Sequence, residues 1–497
     1  MHPTLLLLFL AFSGLSAQTT FQRYYNICGD GRGIAAYETD EGYLIFGETY
    51  ASQTCFSLLL IDSLGNEIRS KEFDFSPDGH FDTWGRVFQV DDNGDYWMLG
   101  SISPPVITNW RTTIFKISGK TWDILFQKTL DSVHYEKPKA LVRSNQGTFF
   151  LVSERNEITE GPNWRYISDA DIVIRKLDTN GDIIKEKILE KEKYFAYPGD
   201  LMLLESSGDV AITLKDGDDY LLAEPYVALL DSNFNFKWKR ELPEVIEPDL
   251  RPVLSVSEQE GLIHVGYKRK VILPGYGFIY SYDLDGNMVR EIPLPAYSVF
   301  SIADLKVVTN NNILGDGADD LNGDSSGRIF RMKSNGEILW DRRYRIRNLT
   351  WDLGFFNYAM ETKDGGVLAV GFMINFRNNE PDIDIYVLKV DGNGCLTPAC
   401  NTIEEPGTYV STKNQFLENT GIKIYPNPAK EQLYLEGESL PKEISIVTIN
   451  GKTVKTQANL TAQQQVILEI SELHPGIYLL RLLFEDGRIH FEKFVKN

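Results

Sequence analysis

The chain has 497 residues, with 50 lysines and arginines against 70 aspartates and glutamates, and a net charge of −20. This charge repels phosphate backbones and anionic headgroups, so it argues against nucleic-acid binding and against unaided binding to membrane surfaces. Hydrophobic residues make up 42 % and charged residues 24 %, values typical of a folded chain. The aromatic content of 12 % favours strands, in which rings pack well.

Residues 1–17 predict a secretory signal peptide. An apolar run from Leu5 to Phe12 is followed by small residues that end at Ala17, which is the order of a cleavable signal, although no lysine or arginine precedes the run. We expect cleavage after Ala17; a buried N-terminal strand or helix is the alternative. No later run approaches the roughly 18 apolar residues of a membrane-spanning helix, so we expect no transmembrane segment.

Internal repetition dominates the middle of the chain. A tight turn, two apolar runs and a further strand recur, and the first turns centre on Gly42, Gly94, Gly147, Gly208, Gly261, Asn312 and Gly366. A period of roughly 50 residues with four strand signals is typical of propeller blades, which bury their faces only against their neighbours. We therefore predict an all-β fold with a seven-bladed β-propeller over residues 18–400.

The last repeat lacks a fourth strand of its own. After Ile385–Val390 the chain enters a turn, whereas Thr20–Ile27 precedes the first strand of the first repeat. We predict that this N-terminal strand completes the last blade, which leaves no free sheet edge where the ring closes.

The four cysteines are Cys28, Cys55, Cys395 and Cys400. An even number in a chain predicted to leave the cytoplasm favours disulfides over free thiols. Three pairings exist, and proximity in sequence favours Cys28 with Cys55 and Cys395 with Cys400; unpaired buried thiols are the alternative. No cluster of cysteine and histidine has the spacing of a metal site.

The C-terminal part is a separate module. Residues 401–420 form a polar linker, and residues 421–497 contain short alternating strands, enough for a small β-sandwich. The residues of this module that carry a family resemblance are, in chain order, Tyr425, Pro426, Asn427, Pro428, Gly451, Gly476, Tyr478, Lys493 and Lys496.

Together these residues resemble the type A sorting domain of the type IX secretion system of the Bacteroidota. The resemblance implies passage through the periplasm, export by the secretion machinery, and frequent removal of the domain by a sorting protease with attachment to a surface glycolipid. A secreted or outer cell-surface protein is the expected result. The repeats also resemble propellers that precede such domains.

Aromatic residues near the predicted loops are candidate ligand contacts. Trp84 and Trp351 lie in connections between repeats, and Trp110, Trp164 and Tyr166 lie in loops between second and third strands. These two kinds of connection share one rim of a propeller, where planar rings can form a platform for sugars. Packing between blades is the alternative, since large aromatic residues are routinely structural.

An acidic stretch in the sixth repeat is a candidate calcium site. Asp320, Asn322 and Asp324 imitate the start of a calcium loop, but Ser325 replaces the turn glycine. A solvated acidic loop is the alternative, and no other cofactor is expected.

These observations favour a binding module for a glycan or a protein, and no catalytic residue is assigned. One alternative is a polysaccharide hydrolase or lyase that uses loop carboxylates with His80 or His134. The other is a purely structural surface component. An acidic pair surrounded by aromatic residues in a central funnel would favour the enzyme.

Overall fold

A computed structural model of the chain contains two compact units, Met1–Cys400 and Asn401–Asn497. The residues that the structure describes are 18–49, 55–75, 80–83, 85–103, 110–130, 134–161, 164–191, 195–218, 223–243, 252–269, 276–294, 299–321, 324–344, 353–377, 380–396, 400, 423–436, 441–448, 453–458, 465–483 and 489–497. The predicted signal peptide and the predicted linker lie outside these ranges.

The first unit is built from antiparallel sheets in chain order. Strand β1 (Phe21–Tyr25) precedes a sheet of β2 (Gly31–Glu38), β3 (Tyr43–Thr49), β4 (Cys55–Ile61) and β5 (Glu67–Asp74). The next sheet contains β6 (His80–Asp82), β7 (Phe88–Val90), β8 (Tyr96–Ser103), β9 (Arg111–Ile117) and β10 (Ile124–Thr129).

Two further groups of four strands follow. They are β11 (Tyr135–Arg143), β12 (Phe149–Gly161), β13 (Trp164–Leu177) and β14 (Ile183–Ile188), then β15 (Phe195–Leu204), β16 (Asp209–Gly217), β17 (Glu224–Leu230) and β18 (Phe236–Glu241). A single parallel bridge between Ala170 and Phe195 joins both groups into one eight-stranded sheet.

The last strands of this unit form three more groups. The first comprises β19 (Val253–Ser257), β20 (Leu262–Arg269), β21 (Tyr276–Asp283) and β22 (Met288–Pro293). The second comprises β23 (Val299–Val308), a short 3-10 helix (Thr309–Asn311), β24 (Asn312–Leu321), β25 (Asp324–Lys333) and β26 (Ile338–Tyr344). The third comprises β27 (Leu353–Glu361), β28 (Val367–Arg377) and β29 (Glu380–Val390). The all-β prediction is confirmed.

Burial differs between the strands of one sheet. Strands β3 and β4 are buried along their whole length, whereas β5, the fourth strand, is mostly exposed. Middle strands are buried on both faces because each sheet packs against the next: Phe46 stacks on Phe88 of the following sheet with ring centroids 5.5 Å apart, and Trp97 stacks on Phe149 at 4.2 Å. Such rings bury large apolar areas and hold neighbouring sheets together.

Five of the seven turns that follow third strands share one chemistry. At Asp62, a carboxylate oxygen accepts backbone N–H bonds from Leu64 and Asn66, both at 2.8 Å, and Gly65 adopts a φ of +81°. The aspartate thus satisfies the turn amides, and glycine tolerates the left-handed conformation that the turn needs. Asp178, Asp231, Asp283 and Asp391 hold their turns in the same way. The recurring aspartates and glycines are turn residues.

Each fourth strand donates a hydrogen bond to the same kind of turn in the following group. The bonds, with donor first and acceptor carbonyl second, are Lys71 to Trp122 (2.6 Å), Lys128 to Asn180 (2.5 Å), Lys185 to Ser232 (3.1 Å), Trp238 to Leu284 (2.9 Å), Arg290 to Ser334 (3.1 Å), Trp340 to Gly392 (2.9 Å) and Tyr25 to Gly65 (2.6 Å). The last bond runs from β1 to the turn of the first sheet.

The N-terminal strand completes the sheet of the last group. Strand β1 pairs antiparallel with β29, from Phe21 opposite Lys389 to Tyr25 opposite Ile385, and the sheet order is β1-β29-β28-β27. Cys28, just after β1, forms a disulfide with Cys55 on β4. A second disulfide joins Cys395 and Cys400 after β29. The strand pair therefore joins the first and last strands of this unit, and the two disulfides close short loops beside it, with sequence separations of 27 and 5.

The second unit is a small β-sandwich. Its strands are β30 (Lys423–Tyr425), β31 (Gln432–Glu436), β32 (Glu443–Thr448), β33 (Thr453–Ala458), β34 (Gln465–Glu469), β35 (Gly476–Leu483) and β36 (Ile489–Lys496), in sheets of order β30-β31-β34 and β33-β32-β35-β36. Leu433, Ile446, Leu480 and Phe494 are buried in its core. In the part of the chain that the structure describes, no helix has both the length and the apolar character needed to span a membrane.

Candidate functional site

The first strands of several groups in the first unit contain a β-bulge. Register shifts lie between Gly33 and Ala35, Pro138 and Ala140, Pro198 and Leu201, Ile302 and Asp304, and Phe356 and Tyr358. A bulge leaves one residue unpaired and turns its side chain away from the regular alternation of the strand. In the second sheet, the first strand is interrupted instead, between β6 and β7, and Arg86 lies in this interruption.

These bulges surround a cavity of about 790 Å³. It is lined by residues from the first strands of most groups, so it lies where those strands converge. Its volume is within the range of ligand pockets in proteins. The bulged residues Ile34, Lys139, Gly199, Ala303 and Asn357 are all among the lining residues.

Arg86 crosses between the first strands of three other groups. Its Nη2 lies 2.7 Å from Asp304 Oδ1 and 3.5 Å from Asp200 Oδ2. The same nitrogen donates to the carbonyl oxygens of Leu254 at 3.4 Å and Leu305 at 3.3 Å. One side chain thus contacts β15, β19 and β23, and it lies in the lining of the cavity.

Two further charged residues complete the cluster around Arg86. Lys306 pairs with Asp304, donates to the Ala359 carbonyl at 2.7 Å, and lies 3.2 Å from the centroid of the Tyr358 ring. Asp316, directly opposite Asp304 in the β23–β24 ladder, is 1 % exposed, and its Oδ1 has no hydrogen-bond partner among the described residues.

The three carboxyl groups differ in pKa. Burial raises the pKa of Asp200, although the positive charge of Arg86 lowers it in part. Burial acts in the same direction on Asp304, but Lys306 and Arg86 outweigh it and hold the pKa of Asp304 below its ordinary value. Burial, and then the charge of Asp304, raises the pKa of Asp316 well above its ordinary value. Arg86 and Lys306 therefore favour the ionised form of Asp304, while the surroundings of Asp316 favour its neutral form.

Two more ion pairs line the cavity. Arg32 Nε donates to Glu48 Oε1 at 2.8 Å, and the other oxygen of Glu48 accepts the Thr83 backbone N–H at 3.0 Å. Lys139 Nζ lies 3.2 Å from Glu154 Oε2. Each of the four carboxylates among the described lining residues, Glu48, Glu154, Asp200 and Asp304, thus contacts a cation.

The structure corrects part of the predicted aromatic platform. Trp110 is 4 % exposed, and the Lys137 ammonium lies 4.9 Å from its ring centroid. Its carbonyl accepts the Glu136 N–H at 2.8 Å, which draws the residue into the sheet. Because the ring is enclosed and covered by a cation, the prediction of an exposed platform is wrong for Trp110.

The predicted loop around Trp164 and Tyr166 is a strand. Both residues lie on β13, opposite Gly161 and Thr159 of β12, and only two residues separate the strands. Aromatic and β-branched residues on both arms extend the ladder to the tip of the hairpin. The loop prediction is therefore wrong, while the side chains of Trp164 and Tyr166, and the whole of Trp84 and Trp351, lie outside the described residues.

The predicted calcium loop is likewise part of a hairpin. Asp320 on β24 pairs with Ser325 on β25, and Leu321 pairs with Asp324. The prediction that Asp320 and Asp324 lie in a loop is therefore wrong, while calcium binding stays a prediction. Asn322, and the side chains of Asp320 and Asp324, lie outside the described residues.

The predicted catalytic histidines do not contribute to the cavity lining that the structure describes. His80 lies on β6, with a side chain outside the described residues, and His134 is exposed before β11. His264, which was not singled out, is fully buried, with Nδ1 2.9 Å from Ser281 Oγ. Burial lowers its pKa to about 4, so it is neutral.

The sequence analysis missed the residues at the centre of the cavity. Arg86, Asp200 and Asp304 each follow a small residue, Gly85, Gly199 or Ala303, inside an otherwise apolar first strand. A charge directly after a small residue at the same place in several repeats was the available signal, since glycine in a strand often marks a bulge.

The motif residues of the second unit have structural roles. Asn427 clamps the last strand: its Nδ2 donates to the Lys493 carbonyl at 3.1 Å, and its Oδ1 accepts the Val495 N–H at 2.9 Å. Tyr478 on β35 stacks on Phe494 with ring centroids 5.6 Å apart. The motif therefore joins the first residues of this sandwich to its last strand. Gly451 lies outside the described residues.

Several known proteins are similar to this chain. Residues 423–497 match the family described as secretion system C-terminal sorting domain, and no curated protein matches the chain. The extracellular domain of a one-component system from B. thetaiotaomicron is 10 % identical, with a TM-score of 0.42, over 97 % of this chain and 58 % of that one. The polysaccharide lyase Uly1 is 10 % identical, with a TM-score of 0.43, over 73 % and 90 % of the two chains.

The Dos1 propeller is 8 % identical to this chain, with a TM-score of 0.39, over 74 % of this chain and 95 % of that one. The chain spans less than two thirds of the B. thetaiotaomicron structure. With TM-scores below 0.5, these likenesses carry no conclusion about activity. The family match supports a conclusion about export: the protein carries a secretion system C-terminal sorting domain, interacts through it with the type IX secretion machinery, and is secreted or held at the outer cell surface.

Proposed function

We propose that the first unit is a closed seven-bladed propeller that binds a ligand in its central cavity. The blade count is supported by the seven groups of strands among the described residues, of which the last is completed by β1. It is also supported by the hydrogen bond from each fourth strand to the next turn, a series that ends with Tyr25 and Gly65. Electron microscopy of the protein tests it, and an open arc or another number of blades contradicts it.

The observation that carries the binding role is the cavity itself. It has the volume of a ligand pocket, and Arg86 in its lining contacts β15, β19 and β23. Half-buried Tyr135, Tyr358 and Asn357 add ring faces and hydrogen-bonding groups to its wall. Polar groups set among apolar surface are typical of sites that orient a small ligand.

A glycan array with the exported chain tests this function. The full chain without residues 1–17 should bind a subset of glycans, and a variant with Asn357→Trp, which fills part of the cavity, should lose this binding. A variant with Lys363→Met, on an exposed turn, should keep it. Failure of the full chain to bind any glycan would leave a protein ligand or a purely structural role. Equal binding by the Asn357→Trp variant would place the glycan outside the cavity and contradict the proposed site.

Polysaccharide hydrolysis is the second candidate, because the pKa of Asp200 is raised and that of Asp304 is lowered. Two carboxyl groups whose environments separate their pKa values are typical of an acid and base pair. However, the guanidinium of Arg86 contacts both carboxylates, in the space that a scissile bond would need. Incubation of each array hit with the protein, followed by analysis for shorter products, distinguishes binding from cleavage; loss of products with Asp200→Asn would support the enzyme.

We propose further that the sorting domain is removed by the sorting protease and that the propeller is attached to surface glycolipid or released. A deletion of residues 422–497 should leave a folded first unit trapped in the periplasm, because each unit has its own core. Fractionation of a host with a type IX secretion system tests this. Normal amounts of the truncated protein outside the cell would contradict it.

A further inference from the structure

The smaller sheet of the second unit presents three apolar side chains in one row. Tyr425 of β30 lies opposite Tyr434 of β31, and Tyr434 lies opposite Ile467 of β34. The two tyrosine rings stack with centroids 5.6 Å apart and an interplanar angle of 14°. Since neighbouring strands of a sheet are about 4.8 Å apart, three residues in register form one continuous strip across the sheet. We call these three residues the aromatic row.

The aromatic row lies on the outer face of this sheet. Tyr425 is 39 % exposed and Ile467 is 45 % exposed, while Tyr434 between them is half-buried. The residues that alternate with the row along β31 and β34 are buried in the core of the unit: Leu433, Leu435, Val466 and Leu468. Successive side chains of a strand point to opposite faces, so the row faces away from the core. Packing of the core therefore does not account for these side chains.

The other exposed apolar side chains of this unit are isolated. Among its described residues, two more large apolar side chains are exposed, Val454 at 41 % and Ile477 at 45 %. They lie on β33 and β35, which are separated by β32 in the larger sheet. Single exposed apolar residues are common on protein surfaces, whereas contiguous exposed apolar surface is typical of interaction sites. The aromatic row is thus a candidate interface, and Val454 and Ile477 are its matched controls.

Charged and polar groups border the aromatic row. The Tyr425 hydroxyl donates to Glu436 Oε2 at 3.0 Å, and the Tyr434 hydroxyl donates to Gln432 Oε1 at 2.7 Å. The exposed charged residues two positions from the row on the same strands are Lys423, Glu436 and Glu469. Aromatic residues within a polar border are typical of protein interfaces. Two carboxylates against one ammonium disfavour an anionic membrane surface and favour a protein partner with basic groups.

We propose that the aromatic row is the surface by which the second unit docks onto a protein of the type IX secretion machinery. The family match gives this unit an interaction with that machinery. Of the motif residues, Asn427 and Tyr478 contact the last strand and serve the fold, whereas Tyr425 is exposed in the row. The motif thus supplies to the row a residue that the fold does not bury. The partner offers an apolar cleft bordered by basic groups, because it receives the row beside two carboxylates.

The test compares two double variants of the full chain in a host with a type IX secretion system. Tyr425→Ser with Ile467→Ser removes both ends of the row, and Val454→Ser with Ile477→Ser removes side chains of nearly equal exposure from the other sheet. The row variant should accumulate in the periplasm, with the amount outside the cell reduced at least about tenfold, because aromatic anchors at interfaces commonly contribute a factor of ten or more in affinity. The control variant should be exported in normal amounts.

Scanning calorimetry of both purified variants separates loss of docking from loss of folding. Their melting temperatures should agree, since each variant removes two partly exposed side chains. If the row variant melts below the control, the single variants Ile467→Gln and Ile477→Gln decide: both positions are 45 % exposed, and only the first variant should be retained in the periplasm. Equal export of the row and control variants, or equal retention of both, overturns the inference. Retention of the chain without residues 422–497 together with normal export of the row variant overturns this inference alone and leaves the role of the sorting domain standing.

Discussion

Replacement of Arg86 by methionine should destabilise the first unit strongly at neutral pH. The arginine contacts Asp304 at 2.7 Å and Asp200 at 3.5 Å, and both carboxylates are largely buried. Methionine retains much of the packing, but it leaves the Asp200 carboxylate without its cation, whereas Asp304 keeps Lys306. Removal of one partner of a buried ion pair costs about 3–5 kcal/mol, mainly because a charge stays buried without compensation.

The expected change in melting temperature follows from the size of the unit. With about 2.1 cal/mol/K of unfolding entropy per residue, a unit of roughly 380 residues has an unfolding entropy of about 0.8 kcal/mol/K. A loss of about 3–5 kcal/mol therefore lowers its melting temperature by about 4–6 °C. Scanning calorimetry of the exported chain at about pH 7.5 measures this shift.

The pH dependence of the loss tests its cause. Without the guanidinium, burial raises the folded-state pKa of Asp200 further above its unfolded value. A carboxyl with a raised pKa is favourable to folding below its unfolded pKa and loses this contribution as the pH rises through the folded value. The deficit of the Arg86→Met variant should therefore be largest near neutral pH and shrink as the solution is acidified.

The double variant with Arg86→Met and Asp200→Asn is the matched control. It removes one charge of each sign and leaves the pair of Asp304 and Lys306 in place. It should regain most of the lost melting temperature at neutral pH. An Arg86→Met variant that melts within about 1 °C of the unmodified protein, or a deficit that grows on acidification, would refute the reasoning.

Two other changes should alter stability in a defined direction. Burial lowers the folded-state pKa of His264 from 6.5 to about 4. Its neutral form therefore contributes about 3 kcal/mol to stability above about pH 6.5, and this contribution is lost as the pH falls through 4. In denaturant titrations, His264→Gln should reduce the pH dependence of the unfolding free energy between pH 4 and 6.5, and an unchanged pH dependence would contradict the assignment. Removal of the first disulfide by Cys28→Ser and Cys55→Ser should lower the free energy of unfolding by roughly 3.5 kcal/mol, and removal of the second by Cys395→Ser and Cys400→Ser by roughly 2 kcal/mol. The losses differ because the first disulfide closes the longer loop. Equal losses in the same titrations would argue against a chain-entropy effect.

The sheets and their turns could be predicted from the sequence because local chemistry determines them. Asp62 and Gly65 satisfy one turn within four residues, and similar pairs mark the later turns. A count of the strands in each repeat also predicted that Thr20–Ile27 completes the last sheet, since the last repeat lacked one strand that the N-terminal segment could supply. The sorting domain was predicted from its resemblance to a known family, and Asn427 of its motif bonds to Lys493 and Val495 on the last strand.

The cavity could not be predicted, because its residues meet only through the arrangement of whole sheets. Arg86 and Asp304 are 218 positions apart, and neither belongs to a local motif. Their side chains converge because bulges and an interrupted strand turn them away from the regular alternation. A one-residue change in register reverses the side of a strand on which a residue lies, so composition and spacing alone could not place these charges together.

The aromatic residues show why long apparent loops were misread. Polarity and length suggested loops at Trp164 and Asp320, yet in a hairpin with a short turn every residue up to the tip can pair across the strands. Trp110 was predicted to be exposed because it lies near a variable segment, but its ring is buried under Lys137. In this fold the ring orients a charge at the cavity wall. Trp110→Leu should therefore lower the melting temperature in scanning calorimetry, because it removes a buried ring, whereas Lys137→Met leaves that ring in place and should change the melting temperature little. Equal shifts in the two variants would contradict this structural role of the ring.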